Sequence, residues 1–191
     1  KKGMIRSQAF IHFNEQPFKQ EWVDMVYDLA PKVDKAQSSE KDPKNKRHSD
    51  VSWIDANDKS EKLFAFIYEM VHAANTQAKW EFEHQVIEPL QFTQYDGDKE
   101  QRYDWHVDHF LGDIEETIRK ISFTILLNDD FEGGEFEIEA GSPVADPRIH
   151  EIPLKKGDAV LFPSYQWHRV KPVTKGTRQS LVGWVRGPQW R

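Results

Sequence analysis

A chain of 191 residues with 38% hydrophobic content is long enough to bury one working core and short for two separate domains. Its formal charge is −6, from 26 basic and 32 acidic side chains, so its overall field repels a phosphate backbone and nucleic acid is not an expected partner. Cysteine is absent, which excludes disulfides, thiolate metal sites and cysteine nucleophiles and leaves His, Asp and Glu to hold any metal.

No window approaches the roughly 18 consecutive apolar residues of a membrane span, and the N-terminus lacks the apolar core of a secretory signal. The expectation is a soluble, cytoplasmic protein with no membrane partner, folded as one domain over residues 1–191. Lys1–Gly3, ahead of Met4 as a candidate initiator, are left out of the fold reading.

From Pro17 to about Ala30, the residues Phe18, Trp22, Met25, Val26 and Leu29 recur at helical spacing, with Pro17 suited to a first turn and Pro31 at the far end. This predicts a packing helix. Between Lys35 and Lys46, Ala36 is the only apolar residue, so a mobile surface loop is predicted over about 34–50, as a solvated linker or as a lid. A second helix is predicted from about Asp58 to Asn75, where Leu63, Ile67, Met70, Val71 and Ala74 form one apolar stripe, suited to backing a sheet. Residues 1–79 are thus read as a helical support region.

From residue 80 onward the period falls to two. Runs rich in aromatic and β-branched residues occur at Leu90–Tyr95, Tyr103–Asp108, Ile121–Leu127, Glu135–Glu139, Ala159–Phe162, Trp167–Val170 and Arg178–Val185, divided by turn signals such as Asp96-Gly97, Gly133-Gly134 and Lys156-Gly157-Asp158. Short strands so punctuated, following helices, predict an α+β fold that is mainly β, a sandwich or barrel with the N-terminal helices packed on one sheet.

His106-Val107-Asp108 sits in one of these runs. Residues two apart in a strand project to one face, so an imidazole and a carboxylate converge there, with Tyr103, Trp105 and Val107 on the other. Taken alone such a triplet is common, and a surface His and Asp on an edge strand accounts for it as well. His168, about 60 residues downstream in another run, changes the odds. Two histidines and one carboxylate form the facial triad of non-haem iron oxygenases, which leaves coordination positions open for a chelating co-substrate and for dioxygen. Ten residues further on comes Arg178-Gln179-Ser180, where alternation puts Arg178, Ser180, Val182 and Trp184 on one face. A buried arginine beside a hydroxyl is a carboxylate receptor, because its fork offers parallel donors and an unpaired buried charge is expensive. A strand-end arginine that snorkels to solvent is the plainer alternative.

Tyr95-Asp96-Gly97, Tyr103 to Asp108, Leu127-Asn128-Asp129-Asp130-Phe131-Glu132-Gly133-Gly134-Glu135, Lys156 to Pro163 and His168 to Trp184 together resemble the Fe(II)/2-oxoglutarate dioxygenase superfamily. Within it they are similar to the prolyl 4-hydroxylase-like branch that includes bacterial PKHD-type hydroxylases. The resemblance covers most of residues 90–187 and implies a double-stranded β-helix, a cupin-like jelly roll, over residues 80–191. It implies His106, Asp108 and His168 as iron ligands and Arg178 as the clamp on the C5 carboxylate of 2-oxoglutarate, with Tyr95 and Ser180 adding hydrogen bonds. Trp184 and Tyr103 match aromatic positions near the co-substrate or substrate. Arg47-His48-Ser49, ahead of Trp53, looks similar to an Arg-x-Ser element that shapes the substrate groove. Trp105, with Tyr103 and Trp184, would exclude water and position the target carbon, ordinary core filling being the alternative.

The implied activity is hydroxylation of an unactivated C–H bond with Fe(II), O2 and 2-oxoglutarate, ascorbate serving as reductant and succinate and CO2 as co-products. A prolyl residue of a peptide or protein is the leading substrate. Asp108 argues against halogenation, since halogenating relatives lack that carboxylate. The chain departs from collagen-type enzymes, which usually carry lysine where Arg178 stands, and residues 139–153 have no clear counterpart. Three other readings stay open: a hydroxylase of a free amino acid or small metabolite, a nucleic-acid demethylase, and a non-catalytic metal-binding jelly-roll module. The demethylase is disfavoured because Trp184 stands where such enzymes carry a second arginine. The oligomeric state is not legible in the sequence.

Overall fold

The computed structural model describes residues 7–31, 34–35, 46–110, 115–141 and 143–190. In chain order its elements are β1 (Ile11–Phe13), α1 (Gln20–Leu29), β2 (Asp34–Lys35), β3 (Arg47–His48), β4 (Asp50–Ile54), α2 (Glu61–Gln77), β5 (Val86–Ile87), β6 (Leu90–Asp96), β7 (Arg102–His106), β8 (Thr117–Leu126), β9 (Phe131–Gly133), β10 (Phe136–Glu139), β11 (Ile149–Ile152), β12 (Ala159–Pro163), β13 (His168–Val170) and β14 (Val173–Pro188). The major sheet runs β1-β12-β8-β14-β6-β4-β2, with β5 and β9 also on β14, and the minor sheet runs β11-β10-β13-β7-β3. Neighbouring strands pair antiparallel throughout. Two facing antiparallel sheets with helices on one outer face make a jelly roll of the expected α+β, mainly β, class.

Alternation along the strands sorts the side chains into two cores. Ile121, Phe123 and Ile125 of β8, Leu161 of β12 and Phe92 of β6 turn outward and pack under the helices with Phe18, Val26, Leu63 and Ile67. Val160, Phe162 and Tyr95 turn inward and meet Phe136, Ile138 and Val170 of the minor sheet. The predicted stripe of α2 is buried in full, from Leu63 to Ala74. Helix α1 begins later than its apolar spacing predicts. The Phe18 N–H is donated to the Gly157 carbonyl at 3.1 Å and Lys19 is extended, so Pro17 and Phe18 act as an anchored lead-in. Asp158, buried at the turn signalled by Lys156-Gly157-Asp158, accepts from the backbone N–H of Gln16 and Lys155 and from His12.

The loop expected over 34–50 is corrected at its ends. Strand β2 pairs with β4, β3 pairs with β7, and β4 begins at Asp50; residues 36–45 lie outside those described. The physical reason is that edge pairing is made by backbone groups and needs no apolar side chains. The N-terminal third therefore supplies strands to both sheets as well as the helices. Within the expected 139–153 connection, β11 pairs with β10. Among the described residues no helix is long and apolar enough to cross a membrane.

Gly183 of β14 stands directly across from Phe123 of β8, and a Cβ there would lie 2.3 Å from the ring's Cζ. Gly183→Ala is expected to lower stability by about 1–3 kcal/mol through overpacking, read as a drop in the denaturant midpoint at unchanged slope. An unchanged midpoint would show that the ring can move away at no cost.

Candidate active site

A narrow cavity lies between the sheets, lined by residues of both. His106 ends β7 and His168 begins β13, and the two are direct antiparallel partners. Their ring centroids lie 4.1 Å apart. Past the end of β7 the chain turns, with the Asp108 N–H donated to the Ser164 carbonyl at 3.0 Å. This brings the carboxylate back between the rings, with Oδ1 3.6 Å from His106 Nε2 and Oδ2 3.5 Å from His168 Nε2. One ligand atom from each of the three lies within 4.8 Å of the others.

Each imidazole is aimed by its own backbone. His106 Nδ1 lies 2.7 Å from the Asp104 carbonyl and His168 Nδ1 lies 2.9 Å from the Gln166 carbonyl. A carbonyl only accepts, so Nδ1 carries a proton in both rings, and in the neutral imidazole Nε2 is the nitrogen left to present a lone pair to the cavity. Burial, reinforced by the neighbouring His168, pushes the His106 pKa down to about 3. Burial alone would raise the Asp108 pKa. The two imidazoles, the Ser122 hydroxyl and the Trp184 indole outweigh it and hold the carboxyl below its ordinary range, although Trp184 Nε1 is not within hydrogen-bond geometry of any partner among the described residues. His106 and Asp108 thus favour their deprotonated forms, as a cation requires. Two nitrogens, one carboxylate and no thiolate suit a divalent transition metal of the iron(II) kind.

Strand alternation placed Tyr103 away from His106; the structure corrects this. His168 pairs with His106 but Val170 pairs with Tyr103, so β7 carries one extra residue and its alternation slips. Tyr103 and His106 then share the cavity face and stack, with centroids 3.5 Å apart and planes 8° apart. Trp105 turns outward instead. It lies under the Arg169 guanidinium at 4.8 Å and is not among the residues that line the cavity.

On the opposite wall Arg178 of β14 pairs with Tyr95 of β6. The Arg178 side chain is 2% exposed, and its Nε and Nη1 have no hydrogen-bond partner among the described residues. Burial lowers its pKa against the opposing pull of Tyr95. Burial likewise raises the Tyr95 pKa, so the phenol keeps its proton and can donate. Ser180 Oγ and Trp184 Nε1 are also buried without hydrogen-bond partners among the described residues. An unpaired guanidinium this deep is costly, and a carboxylate entering the cavity would relieve it bidentately. Gly134, at φ +67°, lets the arginine lie flat: a Cβ there would sit 2.7 Å from Arg178 Cδ.

At the margin, Trp53 is 45% exposed with its ring 6.3 Å from that of Trp184. The Arg119 guanidinium covers Trp184 at 3.9 Å and is held by Glu88 at 2.8 Å. Arg47 lies over Tyr103 at 5.0 Å and donates to Ser49 Oγ at 2.9 Å and Gln91 Oε1 at 2.7 Å. Sequence reasoning missed Arg119, Gly134, Ser122 and Ser164. Ser122 and Thr124 did leave a signal, two hydroxyls at period two inside a run otherwise read as core.

Residues 90–186 match the family model of the 2OG-Fe(II) oxygenase superfamily. A PKHD-type hydroxylase of Idiomarina loihiensis is 37% identical over 103 residues, which cover 52% of this chain and 45% of that protein. One from Hyphomonas neptunium is 42% identical over 82 residues, covering 42% of this chain and 33% of the relative. The matched stretch thus spans less than half the length of these curated relatives. Among solved structures, a Pseudomonas putida prolyl-4-hydroxylase superposes with TM-score 0.68 at 20% identity, over 96% of this chain and 94% of that one. A Trichoplax adhaerens prolyl hydroxylase, in complex with a hypoxia inducible factor peptide fragment, superposes with TM-score 0.69 at 15% identity, over 93% and 83%. These likenesses show the fold. The three metal donors and Arg178 all fall inside the residues that the family model matches over half the chain, and the chain belongs to the 2OG-Fe(II) oxygenase superfamily.

Proposed function

We propose that this chain hydroxylates a prolyl residue of a peptide or protein, using Fe(II), O2 and 2-oxoglutarate, with ascorbate as reductant. The observation that carries the reading is a buried Arg178, its Nε and Nη1 without hydrogen-bond partners among the described residues, on the wall of the cavity that also holds His106, Asp108 and His168. Bound Fe(II), with O2 and the diacid, supplies the oxidising power that converts C–H to C–OH while the diacid leaves as succinate and CO2.

In this reading His106 Nε2, His168 Nε2 and the Asp108 carboxylate hold the metal. Arg178 receives the distal carboxylate of the co-substrate on its two free N–H groups, and the Tyr95 phenol and Ser180 hydroxyl add donors. The Tyr103 ring, stacked on His106, fixes that imidazole and keeps water from its face. Trp184 and Trp53 offer indole faces at the margin, where a pyrrolidine ring packs well, and Arg119 and Arg47 stand beside them as donors for peptide carbonyls. The peptide bound by the Trichoplax neighbour supports a substrate of that class.

Arg178→Ala is expected to raise the 2-oxoglutarate concentration that half-develops the anaerobic Fe(II) visible band by about 10- to 100-fold or more, because even one charge-assisted bond contributes about 1.5–3 kcal/mol. Gly134→Ala, which displaces the same side chain, should act in the same direction. Iron binding should be nearly intact in both, and an equal loss of iron would mean that Arg178 serves folding.

The His106 pKa of about 3 is depressed from an unfolded value of roughly 6.5. Its contribution to stability is therefore present in full above about pH 6.5 and is lost as pH falls from there toward 3. Metal-free protein should lose denaturant stability between pH 7 and 4, and His106→Leu should flatten that slope. Identical slopes would refute the assignment.

For substrate class, proline-containing peptides incubated with Fe(II), 2-oxoglutarate and ascorbate should gain one oxygen atom by mass spectrometry, and His106→Ala should abolish the product. Oxidation of free proline or another small molecule, with peptides untouched, would move the reading to a metabolite hydroxylase.

A further inference from the structure

We propose that a directed hydroxyl relay, running from Ser164 to Ser122 to Asp108, restricts Asp108 to a single ligating oxygen and so keeps the metal's remaining positions open. The inference rests on the iron reading above. A carboxylate can offer a metal one oxygen or both. Here the donor spacing does not choose, because Oδ1 lies 3.6 Å from His106 Nε2 and Oδ2 lies 3.5 Å from His168 Nε2. Ligation through both would take one of the positions that a facial triad leaves free for a chelating co-substrate and dioxygen.

What separates the two oxygens is Ser122. Its Oγ lies 2.6 Å from Asp108 Oδ2, and a carboxylate only accepts, so Ser122 donates. That spends its one hydroxyl proton. The 2.9 Å contact between Ser122 Oγ and Ser164 Oγ must then be donated by Ser164, which sets the direction of the whole chain. Each bond polarises the next, which strengthens the last one onto Oδ2. An oxygen whose electron density is drawn into a short hydrogen bond is the weaker ligand, and Oδ1 is left as the stronger one.

Ser164 also places the backbone of the same residue. Its carbonyl accepts the N–H groups of Asp108 at 3.0 Å and His109 at 3.1 Å, and its own N–H is donated to the Lys120 carbonyl at 3.0 Å. Ser164 is fully buried and lies off the cavity wall, whereas Ser122 is part of it. This difference makes the idea testable, since only Ser122 could act by touching the co-substrate. Both are positioning residues that act through Asp108.

The test uses the full chain loaded anaerobically with Fe(II). Ser122→Ala is expected to keep iron affinity within about twofold of the parent, because the released Oδ2 replaces what is lost, and to raise the 2-oxoglutarate concentration that half-develops the visible band by about fivefold to tenfold, the equivalent of one hydrogen bond. Near-infrared ligand-field bands of the Fe(II) form should shift as the second oxygen binds. Ser164→Ala should move both readouts the same way by a smaller factor, and Ser122→Thr should restore them. The relay is overturned if Ser164→Ala changes neither readout while Ser122→Ala changes the titration, which would mark direct contact with the diacid. It is equally overturned if iron affinity falls in step with 2-oxoglutarate binding, the mark of a structural role. No iron binding by the parent chain would instead sink the functional reading itself.

Discussion

The direct pairing of His106 with His168 across β7 and β13 is the constraint on which the rest of the site depends. Antiparallel partners on one face stand about 4.5–5.5 Å apart at Cβ, so two imidazoles in register need only be turned to converge. The turning is done by main-chain carbonyls two residues upstream of each histidine. The third donor comes from beyond the strand end, where the chain is free to curl back. That curl is held by the Ser164 carbonyl, in the turn that leads from β12 toward β13. All three donors are therefore fixed by the backbone of the minor sheet and its flanking turns. The extra residue in β7 belongs to the same arrangement, because without it Tyr103 would face outward and the His106 ring would lose its stacking partner.

The major sheet supplies the opposite requirement, a buried cation whose Nε and Nη1 have no hydrogen-bond partner among the described residues. A polypeptide left to its own stability would not keep Arg178 in this state, since an unpaired buried charge destabilises by several kcal/mol. The fold tolerates it because the other face of the same sheet is packed against two helices over a continuous apolar core. Gly134 is part of the same bargain. A positive-φ glycine gives up conformational entropy in the unfolded chain, and here its missing Cβ is the space the arginine stem occupies. Such a cost is retained where a ligand, and not the fold, completes the interaction.

These two walls were unevenly legible in the sequence. The stripe of α2 and the inward set Arg178, Ser180, Val182 and Trp184 follow from simple periods, 3.6 and 2, in stretches where the period is unbroken, and the structure places them accordingly. Tyr103 was misassigned because a bulge changes the period for one residue and leaves no mark in composition. Strands β1, β3 and β4 escaped because two to five residues are too few to display a period, and because Arg47-His48 pair at a sheet edge through backbone alone. The histidine-orienting carbonyls were invisible for a deeper reason, since every residue has one. Ser122 and Thr124 were legible in principle: hydroxyls at alternate positions of a buried strand must meet polar partners, and Ser122 meets Asp108.

Charge ties the two walls together. An imidazole that binds a metal through Nε2 is neutral, with its proton here on Nδ1, and Asp108 is anionic. A divalent ion at the triad would therefore leave that end of the cavity with about one net positive charge, and Arg178 adds another at the opposite wall. A dicarboxylate that spans the two brings them to zero. Among donors this deeply buried, where a residual charge is far more expensive than at the surface, this balance favours a diacid. A monoanionic keto acid would chelate the metal equally well and leave the guanidinium unpaired, whereas a diacid satisfies both ends. The depressed His106 pKa belongs to the same balance. A protonated ring would both remove a ligand and add a third positive charge, and the site keeps it neutral by burying it.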